Sequence, residues 1–175
     1  ITEYSFTNEL KMMGHVWHHG EGIHIAAKGS PERILSICKL NATERSTAEA
    51  KAREFAKQGL RVIAVGLQKP AGEREIPVSI ADCELILLGL VGLADPPRPT
   101  VARDIAVCQN AGVRVVMITG DGGDTAAAIA RQIGMAEPEN VVTGAELDKL
   151  TDEQLRSRVK SASVFSRVVP AHKTR

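Results

Sequence analysis

Three prolines stand within four residues in "ADPPRPT", Ala94 to Thr100. Proline has no amide hydrogen and disfavours helix at the residue before it, so no helix or interior strand continues through this stretch. We therefore expect the 175 residues to fold as two parts, 1–94 and 95–175. An apolar content of 43% can supply a core for each.

Ahead of the prolines, "EYSFT", "KMMGHVWHH" and "GIHIAAK" are short runs of apolar, β-branched and aromatic residues. Asn8 and the turn His19, Gly20, Glu21, Gly22 separate them, as in an antiparallel sheet. In "GSPERILSIC", Ser30 is placed as N-cap, Pro31 at the first helical position and Glu32 in the first turn, so Ile34, Leu35 and Cys38 face inward. Ser46 and Glu49 have capping-box spacing, and Ala48, Ala52, Phe55 and Ala56 repeat at helical intervals until Gly59. Leu60 to Leu67 and Glu84 to Leu93 read as strands around a Pro/Gly loop at Lys69 to Pro77. The first part is expected to be α+β.

Beyond the prolines, Val101, Ile105 and Cys108 mark a helix ended by Gly112, and Val113 to Thr119 is a nearly unbroken β-branched run. Ala126, Ile129, Ala130 and Ile133 mark another helix, "ELDKLTDEQLRSRVKSA" supplies more helix, and "SVFSRV" a further buried strand. Alternating strand and helix implies a parallel α/β arrangement. Between the run and the helix lies the turn Gly120, Asp121, Gly122, Gly123. A turn at the carboxyl end of a parallel strand, opening a helix, is where such sheets bind ligands, and the helix dipole favours an anion there. No lysine accompanies it, so it is not a Walker loop. The expected division of labour gives the Thr119 hydroxyl and Gly120 amide to a phosphoryl oxygen, with Asp121 turned aside to hold a neighbouring loop. Taken alone, Asp121 and Asp124 read as helix caps that offset the dipole. Lys173 follows another buried strand and is expected at the same edge as Thr119, supplying the cation.

Lys and Arg number 22 against 21 Asp and Glu, which argues against nucleic acid as a partner. The longest uncharged apolar run, Leu85 to Ala94, is about half of the ~20 residues of a spanning helix, so we expect a soluble chain that does not itself cross a membrane. Cys38, Cys83 and Cys108 share no paired spacing and suit a reducing compartment as small core residues. A start at Ile1 and a stop at Arg175, within what reads as a new element, suggest a piece of a longer protein.

"KGSPE" at Lys28 to Glu32, "DPPR" at Asp95 to Arg98, "TGD" at Thr119 to Asp121 and "FSRVVPAHK" at Phe165 to Lys173 together resemble, in order, the signatures of P-type ATPases. The resemblance covers nearly the whole chain. It implies a nucleotide-binding domain portion over 1–94 and, over 95–175, part of a phosphorylation domain with the haloacid dehalogenase-like, Rossmann-like parallel α/β fold. ATP and Mg2+ are the implied cofactors, with most magnesium ligands outside these residues. Phe6 matches the aromatic that stacks on adenine, Lys11 a nearby basic position, Lys28 and Gly29 the nucleotide-pocket loop, and Arg61 an arginine reaching the phosphates. Asp95, Arg98 and Arg167 join this nucleotide-binding set. A π-face suits a purine, while ammonium and guanidinium groups suit phosphates. Singly, Phe6 reads as a core aromatic, Lys28 as a snorkelling strand end and Arg61 as a solvated strand residue. Asn8 stands where many relatives carry arginine.

In the second part the resemblance assigns Thr119 and Gly120 to phosphoryl oxygens, Asp121 to the domain junction and Lys173 to the charge of the transferred phosphate. The implied activity is ATP hydrolysis coupled to cation transport, at the cytoplasmic face of a membrane. The DPPR form points to the cation-pump branches rather than heavy-metal pumps. The implied partners are ATP and the pump's other cytoplasmic and transmembrane domains; the transported cation would not bind here. No Asp-Lys-Thr-Gly-Thr or Thr-Gly-Asp-Gly-x-Asn-Asp occurs, so nucleophile and magnesium carboxylates are missing and no ATP turnover is expected from these residues alone. The absent nucleophile strand would leave sheet edges open to rearrangement or homodimerisation. A soluble haloacid dehalogenase-like phosphatase would share Thr119 and Lys173 but not KGSPE or DPPR. A stand-alone nucleotide-binding module would share the pocket without transport.

Overall fold

The computed structural model describes residues 2–20, 22–70 and 75–175, so Glu21 of the expected turn and residues 71–74 of the expected loop lie outside the described residues. The architecture is mixed α/β. Two compact units are present, one of Ile1–Glu54 and Val62–Leu93, the other of Phe55–Arg61 and Ala94–Arg175. They differ from the expected parts 1–94 and 95–175 in where Phe55–Arg61 falls.

In the first unit β1 (Thr2–Tyr4), β2 (Met12–His19), β3 (Gly22–Gly29), β4 (Arg61–Gln68) and β5 (Ile86–Leu93) form one sheet in that order. The pairings from β1 to β4 are antiparallel. Alternation decides which side becomes core: Met12, Gly14 and Val16 of β2 and Ile23, Ile25 and Ala27 of β3 are buried, while their neighbours point the other way. Helix α1 (Pro31–Ser36) adds Ile34 and Leu35 to that core, with Cys38 just beyond. A 3-10 turn at Ile80–Asp82 adds Ile80. Ser30 is the N-cap residue of α1 as expected, but its side chain makes no cap bond.

Helix α2 (Ala42–Lys57) begins before the Ser46/Glu49 spacing suggests. The Asn41 side chain accepts from the Glu44 amide at 2.9 Å, and the Glu44 carboxylate accepts from the Asn41 amide at 2.9 Å. This reciprocal pair satisfies the helix's first free amides, so the upstream capping residues determine the start. Of the expected stripe only Ala52 is buried, with Ala48, Phe55 and Ala56 half-buried.

The second unit contains α3 (Val101–Asn110), β6 (Met117–Ile118), α4 (Gly123–Gln132), β7 (Val141–Thr143), α5 (Gly144–Leu147), α6 (Asp152–Ser161), β8 (Val164–Ser166) and α7 (Pro170–Thr174). Its sheet is three-stranded in the order β6, β8, β7, and both pairings are parallel. The expected strand Val113 to Thr119 shrinks to Met117–Ile118, because β6 has a ladder partner on one side only and that partner is short. Upstream of it the Arg114 guanidinium donates to the Val159 carbonyl at 2.6 Å and to the Ala162 carbonyl, replacing ladder bonds with side-chain bonds. Expected helix across Glu146 to Ala162 is divided in two by a second capping box, Thr151 with Gln154. Strand β7 was not expected. The Thr125 hydroxyl donates to the Leu60 carbonyl at 3.0 Å, tying the Phe55–Arg61 segment to α4. No described helix is long and apolar enough to cross a membrane.

Candidate functional site

Each unit carries its own group of candidate residues. In the first, the segment after β1 folds back when the Lys11 amide donates to the Thr7 carbonyl at 2.8 Å, and the Leu10 amide to the Thr7 hydroxyl at 3.1 Å. Lys11 takes φ 53°, unusual outside glycine, and its carbonyl accepts from the Ser30 amide at 3.0 Å. Pairing of Met12 with Gly29 and Met13 with Lys28 continues this contact along the sheet. A Cβ on Gly29 would lie 2.4 Å from the Lys11 carbonyl oxygen and 2.8 Å from Met12 Cα, so only glycine allows the approach. Lys11, Lys28 and Gly29 are thereby brought together, with both lysines exposed.

Phe6, at the entrance to the same loop, is 56% exposed, which excludes its reading as a core aromatic. Asn8 is exposed in that loop. Arg33, on α1, donates to the Glu9 carbonyl at 3.4 Å and braces the loop from below. Sequence pattern gave no signal for that contact, since an exposed helical arginine has no fixed target. Arg61 is exposed at the first position of β4 and falls in the second unit.

In the second unit the ends of β6 and β8 are bound to each other beyond their last ladder pair. The Thr119 amide donates to the Phe165 carbonyl at 2.8 Å, the Val168 amide to the Thr119 carbonyl at 3.1 Å, and the Arg167 amide to the Asp121 carbonyl at 3.0 Å. Arg167 has φ 54°, and a Cβ on Gly122 would lie 3.7 Å from its Nη2, so its guanidinium sits over the turn. Thr119, Gly120, Asp121 and Arg167 therefore share one rim of the sheet. Gly122 is the N-cap residue of α4, and no side chain caps that helix, so neither Asp121 nor Asp124 has the capping role.

Asp121 makes two separate contacts. Its backbone carbonyl holds the Arg167 segment, while its carboxylate turns back to accept from the Thr119 hydroxyl at 3.0 Å; that hydroxyl in turn accepts from the Asp121 amide at 3.1 Å. A hydroxyl so engaged must release the carboxylate before donating to an anion. Ser166, fully buried below the turn, has a hydroxyl with no hydrogen-bond partner among the described residues, and a Cβ on Gly123 would lie 3.6 Å from it.

Lys173 is exposed on α7, which begins two residues after Val168. The neighbouring His172 fixes that helix: its Nδ1 accepts from the Val169 amide at 3.3 Å, and its Nε2 lies 2.8 Å from Asp148 Oδ1. Arg175 adds a bond to the Leu147 carbonyl at 2.8 Å. Beneath, a Cβ on Gly144 would lie 2.3 Å from the Arg167 carbonyl oxygen, so α5 packs directly under the Arg167 segment. The Thr143–Glu146 box that starts α5 holds the Glu146 carboxyl below the usual carboxylate range, through hydrogen bonds from the Thr143 amide and hydroxyl. Asp95 and Arg98 are exposed in residues 94–98, which have no regular structure.

A family described as "P-type ATPase, cytoplasmic domain N" matches residues 1–100. The whole chain is 34% identical over 186 residues to "Calcium-transporting ATPase 1" of Bacillus cereus, covering 21% of that protein. It is 38% identical over 194 residues to "Probable cation-transporting ATPase F" of Mycobacterium bovis, again all of this chain and 21% of the relative. A third relative, "Sodium/potassium exporting P-type ATPase cta3" of Schizosaccharomyces pombe, is 33% identical over 195 residues, all of this chain and 19% of its own length. The chain thus spans about a fifth of the length of these relatives. The family match over residues 1–100 and the similarity along the whole of this chain agree: the chain belongs to the P-type ATPase family.

Proposed function

We propose that the chain is the nucleotide-binding portion and part of the haloacid dehalogenase-like phosphorylation domain of a pump that couples ATP hydrolysis to cation transport, at the cytoplasmic face of a membrane. Phe6 stacks on adenine, and Lys11, Lys28 and Gly29 form the phosphate side of that pocket, with Arg61 a further phosphate contact. The exposed Phe6 ring and the joined Lys11 and Lys28 segments support this reading. Asp95, Arg98 and Arg167 serve as further polar contacts to the nucleotide.

In the second unit, Thr119 and Gly120 hold phosphoryl oxygens, Asp121 sets the Thr119 hydroxyl, and Lys173 balances the developing charge. The observation that carries this assignment is the pair of backbone bonds joining Thr119 and Asp121 to Val168 and Arg167, which brings the turn to the segment leading into Lys173. Mg2+ would supply charge neutralisation between ATP and the attacked group, with most of its ligands outside these residues. The cation would be selected by membrane-embedded residues elsewhere in the protein. The test uses the full-length protein: replacing Thr119 or Lys173 by alanine lowers ATP hydrolysis by about 100-fold, the scale of losing one group that stabilises transition-state charge. Unchanged hydrolysis in both variants would overturn the assignment.

A further inference from the structure

Strands β2 and β3 carry four of the chain's five histidines, His15, His18, His19 and His24, together with its single tryptophan, Trp17. Alternation places His15, Trp17 and His19 on the sheet face opposite buried Gly14 and Val16; His24, paired with Trp17 across the strands, shares that face because Ile23 and Ile25 are buried. The Trp17 and His24 rings stack with centroids 5.6 Å apart and planes 25° apart. The His19 ring stands edge-on to His24, centroids 5.5 Å apart at 84°. His24 Nδ1 is enclosed and has no hydrogen-bond partner among the described residues.

We propose that His19 and His24 form a binding site for a divalent transition-metal ion of the copper, nickel and zinc class, with Trp17 as its wall. With metal–nitrogen bonds of about 2.0–2.1 Å, two imidazoles sharing one ion have ring centres roughly 5 Å apart. The observed separation of 5.5 Å is within a small rotation of that. Rotation about the terminal torsion of the exposed His19 is soft, so either of its nitrogens can turn toward the ion. An enclosed ring nitrogen without a partner is costly, and in the tautomer that leaves Nδ1 unprotonated a cation satisfies it. The Trp17 stack holds the His24 ring in place, which reduces the ordering that binding would otherwise require.

The donor set also selects. Imidazole nitrogens suit copper, nickel and zinc, whereas magnesium and calcium require oxygen. Among the described residues no group of three His, Cys, Asp or Glu side chains is placed to hold one ion, so water or an added ligand completes the coordination. The site is therefore open, and copper should bind most tightly.

The test titrates the untagged chain with CuCl2, NiCl2, ZnCl2 and MgCl2, by calorimetry and by the emission of Trp17. One ion binds per chain, Trp17 emission falls with copper and nickel, and magnesium gives no response. Because His19 is exposed, its replacement leaves the fold intact. By calorimetry His19→Ala and His24→Ala weaken copper binding about tenfold or more, while His15→Ala and His18→Ala change it less than about twofold. Absence of saturation by about 1 mM copper, or an unaltered affinity in His19→Ala, would overturn the proposal. So would an equal loss in His15→Ala or His18→Ala, which would place the ligands elsewhere.

Discussion

The hydroxyl of Thr119 and the carboxylate and amide of Asp121 form a closed pair, with bonds of 3.0 and 3.1 Å. The threonine assigned to bind an anion is thus held by an anion of its own. Thr119→Ala removes both bonds and should cost about 1–2 kcal/mol, while Thr119→Ser keeps the hydroxyl and should cost less than half of that. Chemical denaturation of the two variants measures the difference. Equal losses would mean that the methyl group, not the hydroxyl, matters here.

Gly29 and Gly120 make opposite predictions. Gly29→Ala drives a methyl to within 2.4 Å of the Lys11 carbonyl, which cannot move without opening the loop that carries Phe6. We expect destabilisation of about 1–3 kcal/mol and displaced Phe6 and Lys11 amide resonances. Nothing lies within 4 Å of a Cβ on Gly120, so Gly120→Ala should change stability by less than about 0.5 kcal/mol.

Thiol chemistry should separate the cysteines. Cys38 and Cys83 are buried and Cys108 half-buried. Burial pushes the Cys83 thiol up to about 11, with the Asp82 carboxylate adding to the shift, and burial likewise raises Cys38. Only the thiolate attacks an alkylating reagent, so at pH 8 Cys108 should be modified first, with Cys83 about 10-fold slower or more. Mass spectrometry of peptides at timed intervals reads the order. Because folding raises the Cys83 value, its contribution to stability is full below the unfolded thiol range and is lost as pH rises through about 11.

Glu146 titrates in the opposite sense. Its carboxyl is depressed by the Thr143 hydrogen bonds, so the capping box supports α5 above the ordinary carboxylate range and fails as pH falls through the lowered value. Glu146→Gln retains an acceptor and should flatten this acid dependence, whereas Glu146→Ala should remove the box at every pH. Thermal unfolding between pH 3 and 7 distinguishes the three proteins.

The sheet of the first unit was legible because one face is buried, which forces the alternation seen in "HVWHHGEGIHI". The second unit was less so. Val113 to Thr119 has strand composition throughout, but a ladder needs a partner, and only Met117 and Ile118 have one. The start of α2 was misplaced because two capping boxes compete five residues apart, and local spacing cannot rank them. At the candidate sites, the strand-end turn pointed to Thr119, while Phe6 and Lys28 were indicated only by the family resemblance. The bond between Thr119 and Asp121, the Arg33 brace and the Ser166 hydroxyl, which has no partner among the described residues, depend on side-chain direction, which spacing does not encode.

The most direct measurement is an ATP titration of the isotopically labelled chain, followed by amide resonances. The account predicts saturable shifts at Phe6, Lys11 and Lys28, lost or weakened about tenfold in Lys28→Ala, with no phosphate released. Unmoved Phe6 and Lys28 resonances at saturating nucleotide would contradict it.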